Sequence, residues 1–156
     1  MENRITVVLA DANEEFRTAL QQTLENAEGF DVVGSAADGL AAAELVQEKR
    51  PQLLVMALLL PGLDGFGVLE VMKQRNWLQE IPVIITSSED DESFIQKAYE
   101  LGVTDYIRRP FNLTVTQRRV SNALTLYARQ KHLVHLAEEQ VYEREKTNNT
   151  ASRRST

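Results

Sequence analysis

Asp11, Ser87 and Arg109 each fall at or just beyond the end of a short apolar run, and each offers different chemistry. A carboxylate such as Asp11 is a hard oxygen donor of the kind magnesium requires, but a single carboxylate is a poor site for that ion. The same oxygens can instead cap the helix that follows, or accept both arms of a guanidinium. Arg109 supplies such a guanidinium, a planar fork that suits a bidentate pair with Asp11. Ser87 can accept a backbone N–H where the next helix begins, near residue 88. Asp64 lies in PGLDG (61–65), where turns and helix caps favour Asp, so it is read as a turn residue and not as a nucleophile. His132 and His135 are spaced i, i+3, as metal ligands can be, yet no third ligand lies near them. The sequence holds no cysteine, which excludes thiol nucleophiles, thiolate metal sites and disulfides.

These residues need elements to position them, and the hydropathy pattern supplies five repeats of strand and helix. Residues 5–10 (ITVVLA), 31–36 (DVVGSA), 53–57 (LLVMA), the VIIT after Pro82, and 104–107 read as short strands. Between them, Phe16, Leu20, Leu24 and Ala27 share one face of a helix that stops near Gly29. Asp38-Gly39 opens a helix ending before Pro51, and another covers about 65–75, with Trp77 packing beyond it. Ser88 and Asp91 are spaced like a capping box before a helix closed by Gly102, and residues from about 112 to 146 are helical in character. Unbroken apolar strands joined by helices imply a parallel sheet buried on both faces. In such a sheet, ligands bind beyond the carboxyl ends of the strands. That rule gathers Asp11-Ala12-Asn13, Ala57, PGLDG, Thr86-Ser87-Ser88 and Arg108-Arg109-Pro110-Phe111 into one region.

The composition sets the outer limits. With 156 residues, 43% hydrophobic and 26% charged, the chain has room for one domain with a core. No run of about 18 apolar residues exists and the start has no signal-peptide core, so the expected location is cytoplasmic. Residues 1–111 hold 9 Lys+Arg against 19 Asp+Glu, a net −10, while residues 112–156 hold 8 against 4, a net +4. The acidic body repels phosphates, so nucleic acid is not an expected partner, and neither is a membrane.

At the strand ends the chain resembles the receiver domain of bacterial two-component response regulators. The stretches that carry the likeness are LADANEEFR (9–17), PGLDG (61–65), IPVIITSS (81–88) and GVTDYIRRPF (102–111), in that order and at the family's spacing. The likeness covers residues 5 to about 127. It implies the α/β flavodoxin-like fold, a three-layer α/β/α sandwich around a five-stranded parallel sheet of order 2-1-3-4-5, here with an extended C-terminal helix. The family's chemistry is phosphoryl transfer from a histidine kinase to an aspartate at the end of strand 3. A magnesium ion is held there by that aspartate and an acidic pair after strand 1. A hydroxyl after strand 4 and a lysine after strand 5 stabilise the phosphoryl oxygens. On this sequence the acceptor position falls on Ala57, whose methyl group cannot form an acyl phosphate. The acidic pair is reduced to Asp11 beside Ala12, and the lysine position holds Arg109. Ser87 and Tyr106 match the hydroxyl and aromatic switch positions.

The resemblance therefore implies a degenerate receiver. It would be a signalling and interaction domain and not an enzyme, with no cofactor and with magnesium held weakly if at all. Its output would pass through the face of the fourth helix, fifth strand and fifth helix. Leu58, Leu59 and Leu60 would make the mouth of its pocket apolar. A second reading is an ordinary phosphoaccepting regulator in which Ala57 is an engineered replacement of aspartate; Ala12 and Arg109 stand against a single engineered change. A flavodoxin-like enzyme or FMN carrier shares the fold, but DANEE stands where its phosphate loop would be.

The helical pattern continues past the receiver's expected end. Val120, Leu124, Tyr127, Val134 and Val141 fall on a 4-3 stripe interrupted by Lys131 and Glu138. That stripe fits a coiled coil or a connector, with a lone amphipathic helix as the alternative. The expected division is a receiver over 1–127, a helical extension over 128–146 and a disordered tail over 147–156. The expected partners are a second copy through the last helix, giving a homodimer, and a histidine kinase or other signalling protein.

Overall fold

The computed structural model describes residues 4–26, 29–89, 91–108 and 113–154. Five strands alternate with five helices. They are β1 (Ile5–Ala10), α1 (Glu14–Asn26), β2 (Phe30–Ala36), α2 (Gly39–Lys49), β3 (Leu53–Ala57), α3 (Gly65–Gln74), β4 (Val83–Ser87), α4 (Glu92–Leu101), β5 (Asp105–Arg108) and α5 (Leu113–Arg154). The strands form one parallel sheet in the order β2-β1-β3-β4-β5, as the resemblance implies. All five residues of β3 and of β4 are buried. That is the signature of central strands covered on both faces, and it explains why their sequences do not alternate.

The helices cover the sheet with the residues their periodicity selects. In α1, Phe16, Leu20 and Leu24 are buried. In α3, Phe66, Val68, Leu69 and Met72 are buried. Asp38 caps α2 by accepting the Ala41 N–H at 2.8 Å, and Asp64 caps α3 by accepting the Gly67 N–H at 2.8 Å. Gly102 ends α4 in the left-handed conformation, φ 110°, donating its N–H to the carbonyls of Ala98 and Tyr99. Trp77 is buried beyond α3, with the guanidinium groups of Arg50 and Arg75 at 4.8 and 5.3 Å from its ring centre.

Two expectations are corrected. The helix expected to open at Ser88 begins at Glu92, and its cap is Asp91, whose carboxylate accepts the Ser93 N–H at 2.8 Å. Residues 87–89 are engaged elsewhere, because the Glu89 N–H bonds Ser87 and the Glu89 carbonyl bonds Tyr106. The tail expected to be disordered from 147 is helical through Arg154. Extending a formed helix costs far less than nucleating one. The chain also divides into two compact units, residues 1–121 and 122–156, six residues earlier than the expected boundary at 127.

One close approach ties α2 to the loop after β3. The Gly39 N–H points at the Pro61 carbonyl at 3.5 Å, and a Cβ on Gly39 would fall on the Leu63 carbonyl oxygen. A Cβ on Gly34 in β2 would press only on the flexible end of Leu45, at 3.0 Å. Gly39→Ala is therefore expected to destabilise the fold by about 2 kcal/mol or more, and Gly34→Ala by about 1 kcal/mol or less. Urea denaturation midpoints of the two variants check the ranking.

Candidate functional site

The carboxyl ends of β1, β3 and β4 lie side by side, because Ala10 pairs with Met56 and Ala57 pairs with Thr86. Asp11 is the first residue beyond β1, and its N–H is bound to the Ala36 carbonyl at 2.9 Å. Its side chain is only 6% exposed, one of three buried polar groups that gather here with Thr86 and Ser87. Burial on this scale requires partners. Asp11 Oδ1 accepts the Asn13 N–H at 2.8 Å, and Asn13 Oδ1 accepts the Phe16 N–H at 3.0 Å. Asn13 thus caps α1, while Asp11 shapes the turn that delivers the cap. The helix-cap role expected of Asp11 belongs to its neighbour. Its other expected partner, Arg109, lies outside the described residues.

A different arginine reaches Asp11. Arg17 Nη1 donates to the Asp11 backbone carbonyl at 2.6 Å. Arg17 and Asp11 also line a narrow, mainly apolar hollow with Phe16 and Leu20 of α1, Leu9 and Ala10 of β1, Val55 of β3 and Thr86 of β4. The sequence places Thr86 among the strand-end residues but assigns no role to it or to Arg17. Arg17 lies i+4 from Asn13, one turn into α1, so its placement could have been read once Asn13 was taken as the cap.

Ala12 is exposed, and Ala57 is buried at the end of β3. Leu58 continues the strand direction, its N–H bonded to the Thr86 carbonyl at 3.1 Å and its carbonyl to the Gly65 N–H at 2.8 Å. Of the three leucines expected at the mouth, Leu58 and Leu60 turn inward at 1% and 6% exposure, and only Leu59 faces out, at 60%. The backbone bonds on either side of Leu58 set that alternation.

On the other side of the region, Ser87 Oγ accepts the Glu89 N–H at 3.0 Å, an i+2 turn and not a helix cap. Tyr106 is buried, and its phenol donates to the Glu89 carbonyl at 3.1 Å. Both bonds meet at the Glu89 backbone, one on its N–H and one on its carbonyl, with Tyr106 in a buried position. Next to it, Tyr99 donates to Asp105 at 3.3 Å. Partial burial, and then the Asp105 carboxylate, push the Tyr99 phenol above its ordinary pKa.

The oxygen donors present do not suit the magnesium ion the resemblance implies. Among the described residues Asp11 is the buried carboxylate at these strand ends, its Oδ1 accepts the Asn13 N–H, and Ala12 and Ala57 carry methyl groups. Among the described residues, no group of three His, Cys, Asp or Glu side chains is arranged to hold a metal. No described helix is long and apolar enough to cross a membrane.

Comparison with known proteins agrees with this geometry. The model of the response regulator receiver domain matches residues 7–121. Over 106 residues the chain is 36% identical to protein-glutamate methylesterase/protein-glutamine glutaminase 5 of Myxococcus xanthus, a match that covers 68% of this chain. It spans only 30% of that relative's length. The response regulator domain of Thermotoga maritima CheB superposes with a TM-score of 0.70 at 28% identity, over 81% of this chain and 95% of that one. The phosphorylated cyanobacterial phytochrome response regulator RcpA superposes with a TM-score of 0.69 at 28% identity, over 77% and 91%. With its strand order, its buried strand-end cluster and this match over most of its length, the chain belongs to the response regulator receiver domain family.

Proposed function

We propose that this receiver takes part in two-component signalling as a protein-interaction and dimerisation module, without accepting a phosphoryl group and without catalysing a reaction. The observation that carries the proposal is Ala57. It ends β3 between Asp11 and Thr86, where the family's chemistry calls for a carboxylate, and a methyl group has no lone pair to attack phosphorus. Ala12 and the engaged Asp11 Oδ1 support the same reading, because a phosphoryl oxygen would find no magnesium site to share. Magnesium and other cofactors therefore have no part in the proposed function. Its place of action is the cytoplasm, and its partners are a second copy and a signalling protein such as a histidine kinase, not nucleic acid or a membrane. The activity in the name of the Myxococcus xanthus relative is not proposed here, since the match leaves most of that protein uncovered.

A small-molecule phosphodonor with magnesium tests the chemistry. No mass gain of one phosphoryl group is expected; a gain mapped to Asp11 or Asp64 would sink the proposal. Ala57→Asp alone should label weakly, and Ala57→Asp with Ala12→Asp should label more strongly. Full labelling of the single variant would favour the other reading, a phosphoaccepting regulator in which Ala57 replaces aspartate.

Asp11 then has a structural role, whose loss magnesium cannot mask. Asp11→Ala is expected to lower stability by about 1 kcal/mol through the lost Asn13 hydrogen bond. Thermal melts with and without millimolar magnesium should show the same difference. Stabilisation of the parent chain by magnesium would contradict this.

The dimer reading rests on the last helix. In α5, Leu126, Leu133, Leu136, Val141 and Tyr142 are each at least 40% exposed. Of the stripe the sequence suggests, Glu138 and Val141 are exposed, while the side chains of Val120, Leu124, Tyr127, Lys131 and Val134 lie outside the described ones. Covering two or three large apolar side chains against a partner would contribute several kcal/mol at ~25 cal/mol per Å². Light scattering should find a dimer at tens of micromolar for the full chain and a folded monomer after truncation near residue 128.

A further inference from the structure

Three of the exposed apolar residues of α5 lie on one line along the helix, and its charges are unevenly divided. From Asn122 onward, Leu126, Leu133 and Leu136 are 58%, 64% and 40% exposed. With the exposed Arg129 and Gln140 they occupy positions 126, 129, 133, 136 and 140, an unbroken 3-4 spacing that forms one seam. Charge divides along the same segment. Residues 122–135 hold Arg129 and Lys131 and no acid, whereas residues 136–146 hold Glu138, Glu139, Glu143 and Glu145 against Arg144 and Lys146.

We propose that α5 pairs with α5 of a second copy in antiparallel orientation, about a two-fold axis between residues 134 and 135. This rests on the reading of α5 as the dimer contact and names its geometry. With that axis, Leu133 of each copy packs on Leu136 of the other, so two leucine pairs occupy the centre of the seam. Arg129 falls opposite Gln140 of the second copy, one turn or less from its Glu139 and Glu143. Residues 124–131 of each chain, which carry only positive charge, lie along residues 138–145 of the other, which carry four acids and one base.

The parallel alternative reverses every one of these signs. A parallel in-register pair sets each seam residue against its own copy, so Arg129 would face Arg129 in the seam itself. The acid-rich segment would lie along the acid-rich segment. Exposed charge pairs contribute modestly to stability, but opposed against like pairing decides between two orientations that bury the same leucines.

The chain contains no cysteine, so introduced thiols report neighbours without background. In the antiparallel register, position 126 faces position 143 of the other copy, while neither faces itself. Leu126→Cys and Glu143→Cys are prepared as separate full-length chains carrying tags of different length, then incubated alone and mixed in a glutathione buffer. The mixed disulfide dimer is expected to exceed either self-linked dimer by roughly tenfold, the reflection of a high effective concentration between facing thiols only. Self-linking of Leu126→Cys at or above the mixed product would overturn the antiparallel arrangement and leave the dimer reading standing. A dimer by light scattering with no linking in any sample would overturn the seam. A full-length monomer at tens of micromolar would remove the dimer reading and this geometry with it.

Discussion

The structure depends on one constraint: β1, β3 and β4 are parallel strands with both faces shut off from water. A strand in that position has no solvent to satisfy its backbone, so its N–H and C=O groups must pair with the strands on either side. Lateral pairing fixes register, and register fixes where each strand ends. The pairs Ala10–Met56 and Ala57–Thr86 place three strand ends in a row. Everything at the candidate site follows from that row. Asp11, Ala57 and Ser87 are far apart in the chain, and none has a local reason to approach the others.

Burial also decides what the polar groups there do. Asp11, Thr86 and Ser87 are each at most 6% exposed, and a polar group withdrawn from water to that degree must be hydrogen-bonded. The partners of Asp11 Oδ1 and Ser87 Oγ lie two residues further along, the N–H groups of Asn13 and Glu89. Both side chains therefore shape the turn that leaves the sheet. Tyr106 adds a long-range bond, fastening the Glu89 carbonyl to β5 across 17 residues. Ser87 and Tyr106 thus hold the two backbone groups of Glu89, with the Tyr106 ring buried.

The fold was legible because its signals are the strong ones. LLVMA is apolar throughout and VIIT is apolar up to its final Thr86, as a doubly covered strand or a buried helix can be, and both are too short for a helix. Asp38 and Asp64 read correctly as caps because Asp before an apolar helix has one dominant use. The misreadings fell where two acceptable bonds compete for one backbone group. Ser88 and Asp91 have capping-box spacing, but Ser87 and Tyr106 had already taken the Glu89 backbone, and that competition is tertiary. Asp11 and Asn13 are both good caps at a helix entrance, and the sequence pattern does not fix where the helix begins, and so which of the two caps it. The end of α5 was missed for the opposite reason. TNNTAS has weak helix propensity, but propensity is a poor guide where a long helix has already been nucleated.

The departures at the strand ends are electrically consistent with one another. Three carboxylates crowded at one buried edge repel, and a divalent cation is what makes such a cluster tolerable. If the family pattern holds at these positions, the cation neutralises two acids after β1 and one after β3. Replacing only the β3 acid would leave an acidic pair at the sheet edge with fewer ligands for its ion. Among the described residues, Ala12 and Ala57 leave Asp11 as the buried carboxylate at these strand ends. Asp11 Oδ1 accepts the Asn13 N–H, and the Arg17 guanidinium donates to the Asp11 backbone carbonyl. The proposed reading gives such a site no electrostatic need for a metal. That coupling is the physical reason to read Ala12 and Ala57 as parts of one arrangement and not as separate accidents.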